Sequence, residues 1–259
     1  MKKTLTFLLL GLGAMNISNA QTAPRHEPDS NAEVNVSAVS PALARYINES
    51  VENDLWKRPQ LSPRDRSIVT LATLIARNQT IELRPELYRA LDNGVKPSEI
   101  SEIITHLAFY AGLGNAKAAI AVTAKVFAER HIGADQLPPA SPRLLPIDEK
   151  TEARRSEIVA RDVRPVSPAL EHFMNDPLFH DVWRRPGLSP RDRSLVTVSS
   201  LIANGQVNEA AFHLNRAMDN GLTAEQIGEV IAQIAFYAGW PNAYGAVAVA
   251  AKVIDSRPK

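Results

Sequence analysis

The chain repeats itself, and that repeat limits the folds open to it more than any other feature. SPALARYINESVENDLWKRPQLSPRDRSIVTLATLIA, from Ser40, matches SPALEHFMNDPLFHDVWRRPGLSPRDRSLVTVSSLIA, from Ser167. The register then holds without a gap to Arg130 and Arg257. Roughly half of the aligned positions are identical, so the chain is two versions of one folding unit. The repeats span 40–130 and 167–257. The linker 131–166 between them carries Pro138, Pro139, Pro142, Pro146 and the charged run DEKTEARR. A short helix is expected around Ile147–Ala160.

Each repeat reads as five helices, which makes the fold all-α with two tandem homologous helical domains. The first helix is expected over Pro41–Trp56 and Pro168–Trp183. LSPRDRS then opens the second, with Ser62 and Ser189 as N-caps and Pro63 and Pro190 at the first helical position. Its continuation, IVTLATLIA or LVTVSSLIA, is apolar nearly all round and is expected to be buried. The third helix stops at Asp92-Asn93-Gly94 or Asp219-Asn220-Gly221, where glycine supplies a left-handed cap. In the second copy, Thr223 with Gln226 forms a capping box for the fourth helix. The fifth, Asn115–Arg130 and Asn242–Asp255, is alanine-rich and suited to close helix packing.

The stretch Asn208–Ala243 carries the candidate chemistry. Glu209 and His213 are four residues apart and share a helix face, as do Gln233 and Tyr237. A carboxylate, an imidazole, an amide and a phenol on two adjoining helices are expected to form a small site. A carboxylate beside His213 would favour the imidazolium and fix its orientation; the alternative is a surface helix pair. The first copy has Glu82, Glu86, His106 and Tyr110 at the matching positions. His106 reads equally well as a hydrogen-bonded core histidine, and Glu82 with Glu86 as a solvated face. Arg64, Arg66, Arg191 and Arg193 can hold a substrate carboxylate or make structural ion pairs beside the capping aspartates. Trp240 is expected to wall the pocket.

Several classes are excluded. The 259 residues contain no cysteine, so disulfides, thiolate catalysis and Cys-ligated metals are impossible. The six histidines form no metal-binding pattern, and no metal is expected. A net charge of +1, without a basic run, gives no support for nucleic acid as a partner. Residues 1–20 have the form of a secretory signal: Lys2 and Lys3, an apolar stretch from Thr4 to Met15, then Ser18-Asn19-Ala20. Cleavage after Ala20 and a periplasmic or secreted protein are expected. No other segment is apolar and long enough to span a bilayer. Residues 21–39, polar with Pro24 and Pro28, read as a flexible leader.

LSPRDRS, the EAAFH helix and AFYAGWPNA, in that order, resemble the carboxymuconolactone decarboxylase family, which includes an alkylhydroperoxidase branch. The resemblance covers both repeats. It implies packed helices, a pocket between the third and fourth helices near a subunit interface, and assembly into trimers or hexamers; a trimer of this two-repeat chain would hold six units. The peroxidase branch works through a CxxC pair on the fourth helix, absent here. The decarboxylase-like branch lines its pocket with a His on the third helix and often one on the fourth. The second repeat has His213 and Gln233 at these places; the first has Glu86 and His106. Each copy holds half of the pair.

The expected activity is a cofactor-free lyase or isomerase on a small carboxylated lactone or related unsaturated acid. His213 and Glu209 would act with His106 as acid–base groups. Arg191, Arg193, Gln233, Tyr237, Trp240, Glu86 and Tyr110 would bind substrate. The alternative is an exported, non-catalytic binding or assembly protein that keeps the fold. Convergence of His106 and His213 on one pocket would favour the enzyme; separate dry cores would favour the alternative.

Overall fold

The computed structural model describes residues 35–257; the expected signal segment 1–20 and most of the expected leader 21–39 lie outside the described residues. Every element among the described residues is helical. A single turn, α1 (Val36–Val39), is capped by Asn35. The first repeat follows as α2 (Pro41–Tyr46), α3 (Pro63–Ala76), α4 (Thr80–Asp92), α5 (Pro97–Tyr110) and α6 (Leu113–Glu129). The linker contributes α7 (Glu149–Asp162). The second repeat is α8 (Pro168–Phe173), α9 (Pro190–Ala203), α10 (Val207–Asp219), α11 (Ala224–Ala238) and α12 (Trp240–Asp255).

The long first helix expected in each copy is broken. α2 and α8 give way to wider turns over Ile47–Glu52 and Met174–Phe179, and then to short 3₁₀ turns at Leu55–Lys57 and Val182–Arg184. Asp54 and Asp181 leave the helical region at the same φ and ψ, about −120° and −74°. Pro177 has no N–H to continue the ladder. The break carries Trp56 and Trp183 onto the 3₁₀ turns.

The capping signals act as the sequence predicts. Ser62 Oγ accepts the Asp65 N–H and Ser189 Oγ the Asp192 N–H, both at 3.1 Å. Gly221 ends the third helix of the second copy at φ +101°, and Thr223 with Gln226 forms the next capping box. All residues from Asp65 to Ala76 and from Asp192 to Ala203 are buried. Helices of that kind need neighbours on every side, and α3 and α9 find them in each other.

The repeats therefore interlock. α3 packs on α9, α11 crosses onto α3, and α5 crosses onto α9. One continuous core includes Ile68, Leu71 and Leu107 with Leu195, Ile202 and Ile234. Arginines cross reciprocally at the helix starts: Arg191 binds Asp65 at 2.7 Å and Arg64 binds Asp192 at 2.9 Å. No described helix is long and apolar enough to cross a membrane.

Candidate active site

Because α5 lies on α9, the two halves of the histidine pair meet. His106, on α5 of the first repeat, stacks on Tyr110 with ring centroids 4.8 Å apart and meets Trp183 edge-on at 5.1 Å. His213, on α10 of the second repeat, lies parallel to Trp183 at 6.0 Å and edge-on to Tyr110 at 5.4 Å. Trp183 Nε1 donates to the Tyr110 hydroxyl at 2.9 Å. That leaves the phenol's own proton available to a ligand. Burial raises the Tyr110 pKa, so the group stays a protonated donor.

His106 is fully buried. Its Nε2 lies 2.7 Å from Thr197 Oγ1, whose proton goes to the Arg193 carbonyl. The hydroxyl must therefore accept, which assigns the proton to Nε2 and leaves Nδ1 as the acceptor. Burial, then the Arg193 charge, holds this imidazole neutral. His106 thus supports Tyr110 and Trp183 from beneath.

His213 is half-buried, with Nδ1 buried and without a partner among the described residues. Burial, then the charge of Arg216, lowers its pKa to about 4. Arg216, one turn along α10, lies 4.1 Å over the Trp183 ring and makes no ion pair among the described residues. It is a cation over an aromatic face, beside a neutral imidazole and a phenolic donor.

The twin site shows what Arg216 lacks. Gln233 replaces His106, taking a bond from Arg66 and giving one to Thr70, both at 3.1 Å. Trp56 donates to Tyr237 at 3.0 Å, and Tyr237 to Glu86 at 3.2 Å. Arg89, the counterpart of Arg216, is held in bidentate fashion by Glu52 and approached by Glu86 at 3.4 Å. In the first site Phe179 and His213 stand where Glu52 and Glu86 stand in the second. Burial raises the pKa of Glu86, against the pull of Arg89. The second site has filled itself with its own carboxylates.

Several expected roles are corrected. His213 does not share a site with Gln233 and Tyr237: the crossing of the repeats sends it to Tyr110 and sends Tyr237 to Glu86. Glu209 is exposed on the first turn of α10 and makes no hydrogen bond to His213 among the described residues, since the imidazole turns inward to Trp183. The imidazolium is disfavoured, not favoured. Arg191 is committed to Asp65, and Arg193, fully buried, gives its Nη2 to Glu102 at 2.6 Å while its Nε and Nη1 have no partner among the described residues. Trp240 is 66% exposed and lines an outer apolar groove of about 240 Å³ with Phe236 and Tyr244, away from His213. Glu86 is buried rather than part of a solvated face.

Sequence reasoning missed Arg216 and Phe179. The signal was there: Glu52 is charged where Phe179 is apolar, while both copies keep the arginine, Arg89 and Arg216.

Two interlocked all-helical repeats bring a histidine from each to one cluster of aromatic side chains beside a cation. The carboxymuconolactone decarboxylase family model matches residues 41–125 and 168–252, and the chain belongs to that family. It is 36% identical over 84 residues to 4-carboxymuconolactone decarboxylase of Acinetobacter baylyi, covering 32% of this chain and 63% of that protein. It is 30% identical over 99 residues to nitrosuccinic acid decarboxylase of Metarhizium robertsii, covering 38% of this chain and 69% of that protein.

Proposed function

We propose that the composite site is a cofactor-free decarboxylase centre for a small carboxylated lactone or related unsaturated acid. The observation that carries this reading is Arg216: a largely buried cation over Trp183, unpaired among the described residues, where its twin Arg89 is held by Glu52 and approached by Glu86. The two decarboxylases similar to this chain support the reaction class.

Arg216 holds the substrate's carboxylate end, and the Tyr110 hydroxyl donates to the oxygen on which charge develops. Burial is the main cause that depresses His213 and the Arg216 charge the second, so a bound anion that offsets Arg216 raises the imidazole's affinity for a proton. The bond from the departing carboxylate carbon to the substrate breaks. Its electron pair enters the conjugated system, CO2 leaves, and His213 passes its proton to carbon. His106 positions the phenol and the indole.

The test is turnover by the full chain. Carboxylated lactones and unsaturated acids are screened for CO2 release, and any hit is repeated on His213→Gln and Arg216→Met. Loss of turnover in both variants, with the fold intact, supports the reading. Unchanged turnover in His213→Gln refutes it, and no turnover or binding of any acid favours the non-catalytic role. Export belongs to the same proposal, on the strength of Lys2, Lys3 and Ser18-Asn19-Ala20, and N-terminal sequencing of the secreted protein tests it. So does assembly as a trimer of two-repeat chains, supported by the exposed Leu113, Trp240 and Tyr244 and tested by sedimentation.

A further inference from the structure

The linker helix α7 lies outside both stretches matched by the family model, yet it reaches the composite site. Its Arg155 is only 5% exposed. The guanidinium lies 4.3 Å over the Phe179 ring, on which Arg216 also sits at 5.8 Å. Phe179 in turn lies parallel to Trp183 at 6.1 Å. The Nε and Nη2 of Arg155 are used, donating to Glu152, and Nη2 also to Asn175 at 2.7 Å. Nη1 is buried and has no partner among the described residues.

A buried guanidinium donor with nothing to bind calls for an explanation. Glu152 is on α7 itself, so its pair with Arg155 lies within the helix, and a clamp that merely pinned α7 to the second repeat would be complete with the bond from Arg155 to Asn175 and the contact of Glu152 with His180. The charges of Arg155 and Arg216 both act on the Tyr110 hydroxyl, and Arg155 also depresses the pKa of Arg216, so the three groups share one neighbourhood. Glu152 is already divided between Arg155 and His180. The twin site collects two carboxylates, Glu52 and Glu86, on its arginine. The composite site has lost both and gained a second arginine.

We infer that Arg155 is a ligand-binding residue: its Nη1 takes the second carboxylate of a dicarboxylic ligand whose first carboxylate lies on Arg216. The inference rests on the proposed function and adds the linker's part in selecting the substrate. A monoacid fills half of the site and leaves the Nη1 of Arg155 unpaired.

Titration calorimetry of the full chain with succinate and with butyrate, two acids of equal chain length, tests this. Wild type is expected to bind succinate about tenfold or more tightly than butyrate. Arg155→Met removes that preference and leaves butyrate binding nearly unchanged. Arg155→Lys, which keeps the charge and carries the test if the methionine variant does not fold, retains part of the preference. Arg216→Met weakens both acids. A wild-type preference that survives in both Arg155 variants overturns the inference. Equal wild-type binding of the two acids, lost in Arg216→Met, also overturns it but leaves the function standing. Binding that does not depend on Arg216 removes both.

Discussion

Replacing Glu102 by Gln is expected to cost far more stability than the same change at its twin, Glu229. Glu102 is fully buried and joins two arginines, accepting from Arg193 at 2.6 Å and Arg185 at 2.9 Å. Arg193 is also fully buried, and the Arg185 side chain is 10% exposed. An amide at residue 102 strands two buried cations, whose nearest remaining carboxylate is Asp181, 3.8 Å from Arg185 and half-exposed. Breaking such a buried pair costs about 3–5 kcal/mol. Glu229 has the same connectivity but a different surround. Arg66 keeps the Arg58 carbonyl just as Arg193 keeps the Arg185 carbonyl, and Arg185 keeps those of Ala140 and Pro139; what differs is that Arg66 also keeps Gln233 and that the Arg58 side chain is 42% exposed and recovers its hydration. Only one buried cation is stranded, so the loss is expected to be about half as large. For a chain of this size, Glu102→Gln should lower Tm by roughly 6–20 °C. Urea unfolding of wild type and both variants at pH 7 gives the comparison. Equal losses, or a larger loss at residue 229, would refute the argument that solvent access to the second arginine sets the cost.

Stability should fall as pH drops from about 6.5 to about 4, because His213 takes a proton at about 6.5 when unfolded and only near 4 when folded. Above that window both states are neutral and the term vanishes; by pH 4 it has removed about 3 kcal/mol. His213→Gln should show a correspondingly smaller decline in urea midpoints between pH 7 and 4.5, and a decline equal to wild type would contradict the burial argument. Phe179→Glu should give Arg216 the partner that Glu52 gives Arg89, weakening succinate binding about tenfold or more; unchanged affinity in calorimetry would mean that Arg216 does not bind the ligand. Gly187→Ala places a Cβ 2.9 Å from Glu102 Cγ, where the first repeat carries Gln60. A loss of about 1–3 kcal/mol by urea unfolding is expected, and a neutral result would show that the loop yields freely.

The helices were legible because their signals are local. Ser189, Pro190 and Asp192 start a helix wherever that segment sits, and Gly221 ends one. The two histidines were legible as halves of a pair because the repeats align without gaps. Their convergence was not, since it depends on α5 packing across onto α9, and no spacing within one repeat encodes a contact with the other. The pairing of Glu209 with His213 failed for a related reason. A shared helix face permits contact, but Glu209 sits at the exposed helix start, while His213 faces Trp183. Arg191 and Arg193 looked available because a sequence does not show that Asp65 and Glu102 approach from the other repeat. Arg155 lay in a linker, where charge normally means solvent; only its burial against Phe179 sets it apart.

Covalent fusion accounts for the asymmetry between the sites. Two identical copies paired as these repeats are would place the same residues in both sites: a histidine at the α4 or α10 position would enter each, and a glutamate there would fill each. In one chain the same position is Glu86 in one site and His213 in the other, and the partner position is Gln233 in one and His106 in the other. One site collects both histidines and an unpaired arginine, while its twin collects both carboxylates. The twin's polar groups are largely satisfied within the protein: Trp56 to Tyr237, Tyr237 to Glu86, Glu52 to Arg89. Such a network holds α4, α11 and the Trp56 turn together. The composite site leaves His106 Nδ1, His213 Nδ1 and Arg155 Nη1 without partners among the described residues, against Glu86 Oε2 in the twin. Unsatisfied buried groups cost stability, so their concentration at one of two otherwise matched places marks that place as the one shaped for a ligand.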